Sequence, residues 1–255
     1  MKSVVLCEGR DDLWFISYYL HKTANWSIVK PSKNVWKNYQ LSTLTKRQDI
    51  QYLSNGSDHV AIWSVCGKDS FAKPISEILR FISVFPFDPI DSIVVVRDRD
   101  NDSVDDVLGK MNLWFDGSIA LANKTTSILS KTMEDCDVFT KVTPVIIPFS
   151  EEGAIETILK KAIREAGEEE AFIVKSAEEY ISALVASGKV GIKYLASSRL
   201  ILKAKYSAVI AATNPDHSTG LFQDMVMACP WENSPYVKEH FDVVLHAVTE
   251  QSKNS

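Results

Sequence analysis

The sequence predicts an α/β fold, a parallel sheet flanked by helices, with a helical C-terminal extension. Two observations predict it. Up to about residue 150, short apolar runs alternate with segments of helical spacing, as strands joined by crossover helices do. Beyond residue 153 the strand-like runs stop and helical segments follow one another.

Residues 3–7 are an apolar run broken at Glu8-Gly9, a strand ending in a turn. Residues 11–22 carry Leu13, Trp14, Ile16, Tyr18 and Leu20 and read as a packed helix. Residues 60–66 form a second strand stopped by Gly67, and 71–84 return to helical spacing through Phe71, Ile75, Ile78, Leu79 and Ile82. Residues 92–97 are a third strand, continuously apolar and so expected to be buried on both faces. A helix over 104–115 and a fourth strand over 143–148 complete the alternation. Helices are then expected at 154–166, 176–187, 192–213 and 233–250, with a charged break at 165–170. The domain reading is a core over 1–152, with a basic insertion at about 23–58, and a helical region over 153–255.

The chain has 255 residues, long enough to bury a core without disulfide or metal staples. With 45% hydrophobic and 24% charged residues it is globular rather than disordered. A net charge of −5 excludes a histone-like polycation but is blind to local basic surfaces. No stretch approaches a membrane helix. The run before Glu8 is too short for a signal-peptide core. Cys7, Cys66, Cys136 and Cys229 are scattered with no CxxC pair, as in a reducing compartment. A cytoplasmic protein with no membrane partner is expected.

The chemistry-bearing pattern is acidic. Glu8 follows the first strand, and Asp98 and Asp100 follow the third. Groups beyond the carboxyl ends of strands in an open parallel sheet share one crevice. Three bare carboxylates there would repel one another, and a divalent cation relieves that repulsion. Hard oxygen ligands suit Mg²⁺ or Mn²⁺. An EF-hand reading of the segment from Asp98 fails, because its sixth and twelfth positions are Ser103 and Gly109. No P-loop, HExxH helix or GxSxG elbow is present.

An apolar strand ending in Glu8-Gly9 and a later one ending in Asp98-x-Asp100 resemble the TOPRIM domain of topoisomerases, bacterial primases and several nucleases. Glu8-Gly9-Arg10-Asp11-Asp12, Cys66-Gly67-Lys68-Asp69, and Pro148 followed by Gly153-Ala-Ile-Glu156 are similar to the short stand-alone members of its OLD-nuclease branch. The resemblance covers about 1–160 and departs in two ways. Glu8 and Asp98 are 90 positions apart, wider than in the smallest such domains, and no ATPase domain is present. It implies a TOPRIM-like, Rossmannoid sheet and a Mg²⁺- or Mn²⁺-dependent nuclease. In that reading Glu8 is a metal ligand or general acid/base and Asp98 and Asp100 hold the metal. Asp12 and Glu156 complete a second metal position, and Lys68 contacts phosphate. Structural alternatives stand beside these roles: Asp12 as a helix N-terminal charge and Glu156 as an exposed first-turn acid.

Two acid-free windows could carry a polyanion. Lys22 to Gln48 contains Lys30, Lys33 and Lys37 with Trp26, Trp36 and Tyr39 interleaved, bases for phosphates and aromatic faces for stacking. Ile181 to Pro215 places Arg199 and Lys203 four apart, on one helix face. The nucleic-acid contacts expected are therefore Lys30, Lys33, Trp36, Lys37, Arg199 and Lys203, against alternatives of inward-packed tryptophans and an ordinary amphipathic helix. The five histidines show no ligand spacing and are expected to be solvated or in the core.

The leading reading is a metal-dependent phosphodiesterase acting on DNA or RNA. The alternative is a non-catalytic TOPRIM-like module that binds nucleic acid or a protein. A different DxD enzyme, such as a sugar transferase, has no need of the Glu8-Gly9 strand end. A homo-oligomer stays open.

Overall fold

A computed structural model describes the chain except residues 32–34, 40, 42–47, 133–135, 191–192, 219 and 250–255. It divides into two compact units, Met1–Ile147 with Phe241–Ser255, and Pro148–His240.

The first unit is a seven-stranded sheet. Its strands are β1 (Lys2–Cys7), β2 (Ser27–Val29), β3 (Asp49–Asn55), β4 (Asp58–Ser64), β5 (Ser92–Asp98), β6 (Ser127–Thr132) and β7 (Asp137–Ile147). They lie in the order β2-β3-β4-β1-β5-β7-β6. The four central strands β4, β1, β5 and β7 run parallel. The edges are antiparallel: β2 on β3, β3 on β4, and β6 on β7. The sheet is therefore mixed, an α/β fold with a parallel centre. Helices α1 (Arg10–Ala24), α2 (Ala72–Val84) and α3 (Val104–Trp114) connect the parallel strands.

The Val-Ile-rich centre explains why these strands are central. Val4 to Cys7 and Ile93 to Val96 are at most 1% exposed, and β-branched side chains fit a pleated surface covered on both sides. One face carries Leu6, Trp63 and Val95 against Phe71, Ile75 and Ile78 before and within α2 and against Val107 and Met111 of α3.

The expected insertion at 23–58 contains sheet. Two residues, Gly56-Ser57, join β3 to β4 with Asn55 paired to Asp58. Gly56 has φ 58°, a conformation that costs glycine nothing because it lacks Cβ. At the other edge β7 starts at Asp137, well before the expected 143, because it pairs with β6 along its first half.

The second unit is helical: α4 (Ile155–Ala166), α5 (Glu168–Ala186), α6 (Ser198–Thr213), α7 (Phe222–Ala228) and a 3₁₀ turn at Trp231–Asn233. The last helix, α8 (Pro235–Val248), has its first turn in this unit, and residues from Phe241 onward belong to the first. The charged segment at 165–170 is not one loop: Gly167 alone separates α4 from α5, and Glu168, Glu169 and Glu170 are the acidic first turn of α5, where negative charge suits the helix dipole. No helix among the described residues is long and apolar enough to cross a membrane.

Candidate active site

The parallel strands lie in spatial order β4-β1-β5-β7. The chain leaves β1 toward one side and returns to β5 on the other, so the order reverses between β1 and β5. Such a reversal is where open α/β sheets generally form a crevice beyond the strand ends and bind ligands. Cys7 pairs with Val96 in the β1–β5 register, so Glu8 and Asp98 come one and two residues past that pair.

Lys68 arrives from β4. The parallel pairing of β4 with β1 extends past the strands, as the Val65 amide donates to the Cys7 carbonyl at 2.9 Å and the Gly67 amide to the Glu8 carbonyl at 2.9 Å. Gly67 has φ 115°, which a Cβ would oppose, and turns the chain so that Lys68 follows. Its Nζ lies 3.6 Å from Asp100 Oδ2. Asp100 itself has φ 53°, the left-handed region that aspartate tolerates better than most residues. The structure thus brings Glu8, Lys68, Asp98 and Asp100 to the ends of three adjacent parallel strands.

Burial and then the charges of Asp12, Asp98 and Glu8 push the Cys7 thiol well above its ordinary range. Such a shift disfavours the thiolate form of Cys7. The remaining donors are hard carboxylate oxygens, which fit Mg²⁺ or Mn²⁺. Among the described residues, no three His, Cys, Asp or Glu side chains stand close enough to hold a metal ion. The carboxylates are gathered at one crevice without being closed into a ligand set.

Asp12 has a structural task here. Its Oδ2 accepts the Gly9 amide at 2.7 Å and closes the first turn of α1. Glu156 lies in the other unit, in the first turn of α4, and its Oε1 is 2.6 Å from Lys203 Nζ. Two residues expected in separate roles, metal ligand and nucleic-acid contact, are thus ion-paired. Arg199, one turn earlier on α6, is exposed.

The first basic window is not a stacking platform. Trp26, Trp36 and Tyr39 are 0%, 6% and 2% exposed. Trp36 packs edge-on against Tyr39 and Tyr52, with ring centroids at 6.4 and 5.5 Å. Aromatic side chains with a neighbouring core bury their rings before they offer them to a base. Trp36 is therefore a core residue rather than an exposed nucleic-acid contact. Lys30 and Lys37 are exposed, and Lys33 lies outside the described residues.

Sequence reasoning missed Arg97 and Asp102. The Arg97 side chain is wholly buried and reaches Asp102 Oδ2 at 3.3 Å. The signal was present, since Arg97 is a cation at the end of an otherwise apolar central strand.

Fold and crevice together define an α/β protein with a carboxylate-rich site at its topological switch point. The chain belongs to the family described as "Protein of unknown function (DUF3226)", whose model matches residues 2–241. The crystal structure of hypothetical protein PH0156 from Pyrococcus horikoshii OT3 is similar at a TM-score of 0.49 and 14% identity, covering 96% of this chain and 100% of that one. A likeness of that degree carries no functional argument. No curated protein matches the chain.

Proposed function

We propose that this protein is a TOPRIM-like, Mg²⁺- or Mn²⁺-dependent phosphodiesterase that cleaves DNA or RNA. One observation supports the reading above the others: Glu8, Asp98, Asp100 and Lys68 come from three adjacent parallel strands to the reversal point of the sheet. Glu8, Asp98 and Asp100 would have to draw together to hold a divalent ion, which would supply a Lewis acid for the phosphoryl oxygens. Lys68, now held by Asp100, can neutralise charge on a phosphate. In the other assignment Glu8, 4% exposed at the strand end, takes or gives a proton instead of ligating the metal. Asp12 remains a candidate for a second metal position only if it leaves the Gly9 amide, and Glu156 is engaged by Lys203 within the other unit.

The test is divalent-dependent cleavage of a mixed DNA and RNA substrate set. Glu8→Ala and Asp98→Ala are each expected to lower the rate by about 100-fold or more, the scale of losing a principal electrostatic contact. Cleavage surviving both substitutions would sink the proposal. The second reading, a non-catalytic nucleic-acid- or protein-binding module, is favoured by the lack of a preassembled ligand set among the described residues. Salt-sensitive binding without cleavage would be its signature.

A further inference from the structure

Cationic side chains converge on the loop that follows β5. Arg97 Nη2 and Lys110 Nζ each lie 3.3 Å from the same oxygen, Asp102 Oδ2. Arg99 Nε donates to the Asp102 carbonyl at 3.1 Å. Lys68 Nζ lies 3.6 Å from Asp100 Oδ2 on the same loop. Helix α3 begins immediately after, with Ser103 as its N-cap accepting the Asp106 amide, so its positive end faces the same loop.

Arg97 is the decisive member. Its side chain is 0% exposed, against 28% for Asp102. Its Nε and Nη1 make no hydrogen bond among the described residues. A guanidinium carries five donors in a planar fork suited to two oxygens at once. One shared carboxylate oxygen at 3.3 Å serves it poorly, and a buried charge needs both pairing and hydrogen bonding. The donor set exceeds what Asp102 supplies. It matches an anion with several oxygens in tetrahedral array, which accepts from a guanidinium and from ammonium groups together.

We propose that Lys68, Arg97 and Lys110 form a phosphate subsite at the carboxyl end of β5, and that Asp102 is its resident stand-in, giving way when a phosphoryl oxygen enters. The nuclease reading supplies only the substrate class, a phosphodiester. Asp102 is already part-exposed on its loop, so its outward rotation would free Arg97 Nη2 and Lys110 Nζ for the incoming oxygen. Replacing one carboxylate by one phosphodiester leaves the local charge unchanged.

The test is calorimetric titration of the metal-free full chain with inorganic phosphate at low ionic strength. Asp102→Asn removes the competing charge and is expected to tighten phosphate binding about tenfold over the unaltered chain. Adding Lys110→Ala to that variant is expected to weaken it about tenfold, the scale of one charge-assisted hydrogen bond. Arg97→Gln added instead should abolish it. Lys110 is 48% exposed at its side chain, so that arm stays informative should Arg97→Gln fail to fold. Phosphate binding by Asp102→Asn that is no tighter than the unaltered chain, or indifferent to Lys110→Ala, overturns the proposal. Neither metal nor cleavage enters the titration. A positive titration beside a failed nuclease assay removes the nuclease reading alone, and a failed titration beside cleavage removes the subsite alone.

Discussion

Asp12 shows how one carboxylate can support a site without being its chemistry. Its bond to the Gly9 amide closes the turn that follows Glu8 and starts α1. Asp12→Ala leaves that amide without its cap and is expected to cost about 1 kcal/mol of stability. Asp12→Asn keeps an acceptor oxygen and should cost less. Urea denaturation midpoints of the three proteins measure the difference, and an unchanged midpoint in Asp12→Ala would contradict the capping role. Glu156 is comparable, since its partner at 2.6 Å is Lys203. Asp12 also bears on the proposed metal site, because a carboxylate already engaged must be released before it can ligate a metal.

Among the elements, α4, α5 and α6 are tied by charge as well as by apolar packing. Glu178 on α5 pairs with Lys160 and Arg164 on α4. Burial alone would raise its pKa, but the Lys160 hydrogen bond and the charges of Lys160, Arg164 and Lys205 outweigh burial and lower it. A depressed folded-state pKa means stability that is fully present above the ordinary glutamate range and lost as pH falls through the folded value. Denaturation curves from neutral pH downward should therefore show an acid limb that flattens in Glu178→Gln. An identical acid limb in that variant would remove Glu178 from the account. In the sheet, Arg97 is buried at the end of β5 beside the proposed metal ligands.

Taken whole, the molecule separates the rings of its first basic window from solvent while Lys30 and Lys37 of that window stay exposed. The aromatic residues of the first basic window lie in the core, and exposed Lys30 and Lys37 remain near them. Trp36→Ala is accordingly a packing change, expected to cost about 3–5 kcal/mol of stability. Thermal unfolding together with nucleic-acid titration under stabilising conditions would distinguish the roles. A variant of unchanged stability and lost affinity would restore Trp36 as a stacking face.

The parallel centre of the sheet was legible in the residues. Continuous apolar runs at β1 and β5 and the glycine turns that end β1 and β4 are local signals. The same signals located Glu8, Asp98 and Asp100 at strand ends. The antiparallel edges were harder to read, although Asn55-Gly56 is a hairpin signature, because β3 has only one fully buried residue and so lacks a continuous apolar run. Charge counting along the chain could not show that Trp36 turns inward or that Lys203 meets Glu156. It also could not show that Arg97 is buried beneath an acidic loop. Strand identity follows from side-chain shape and polarity over a few neighbouring residues, which composition and order contain. The partner of a charge and the face offered by a ring depend on residues far apart in the chain, and folding alone brings those together.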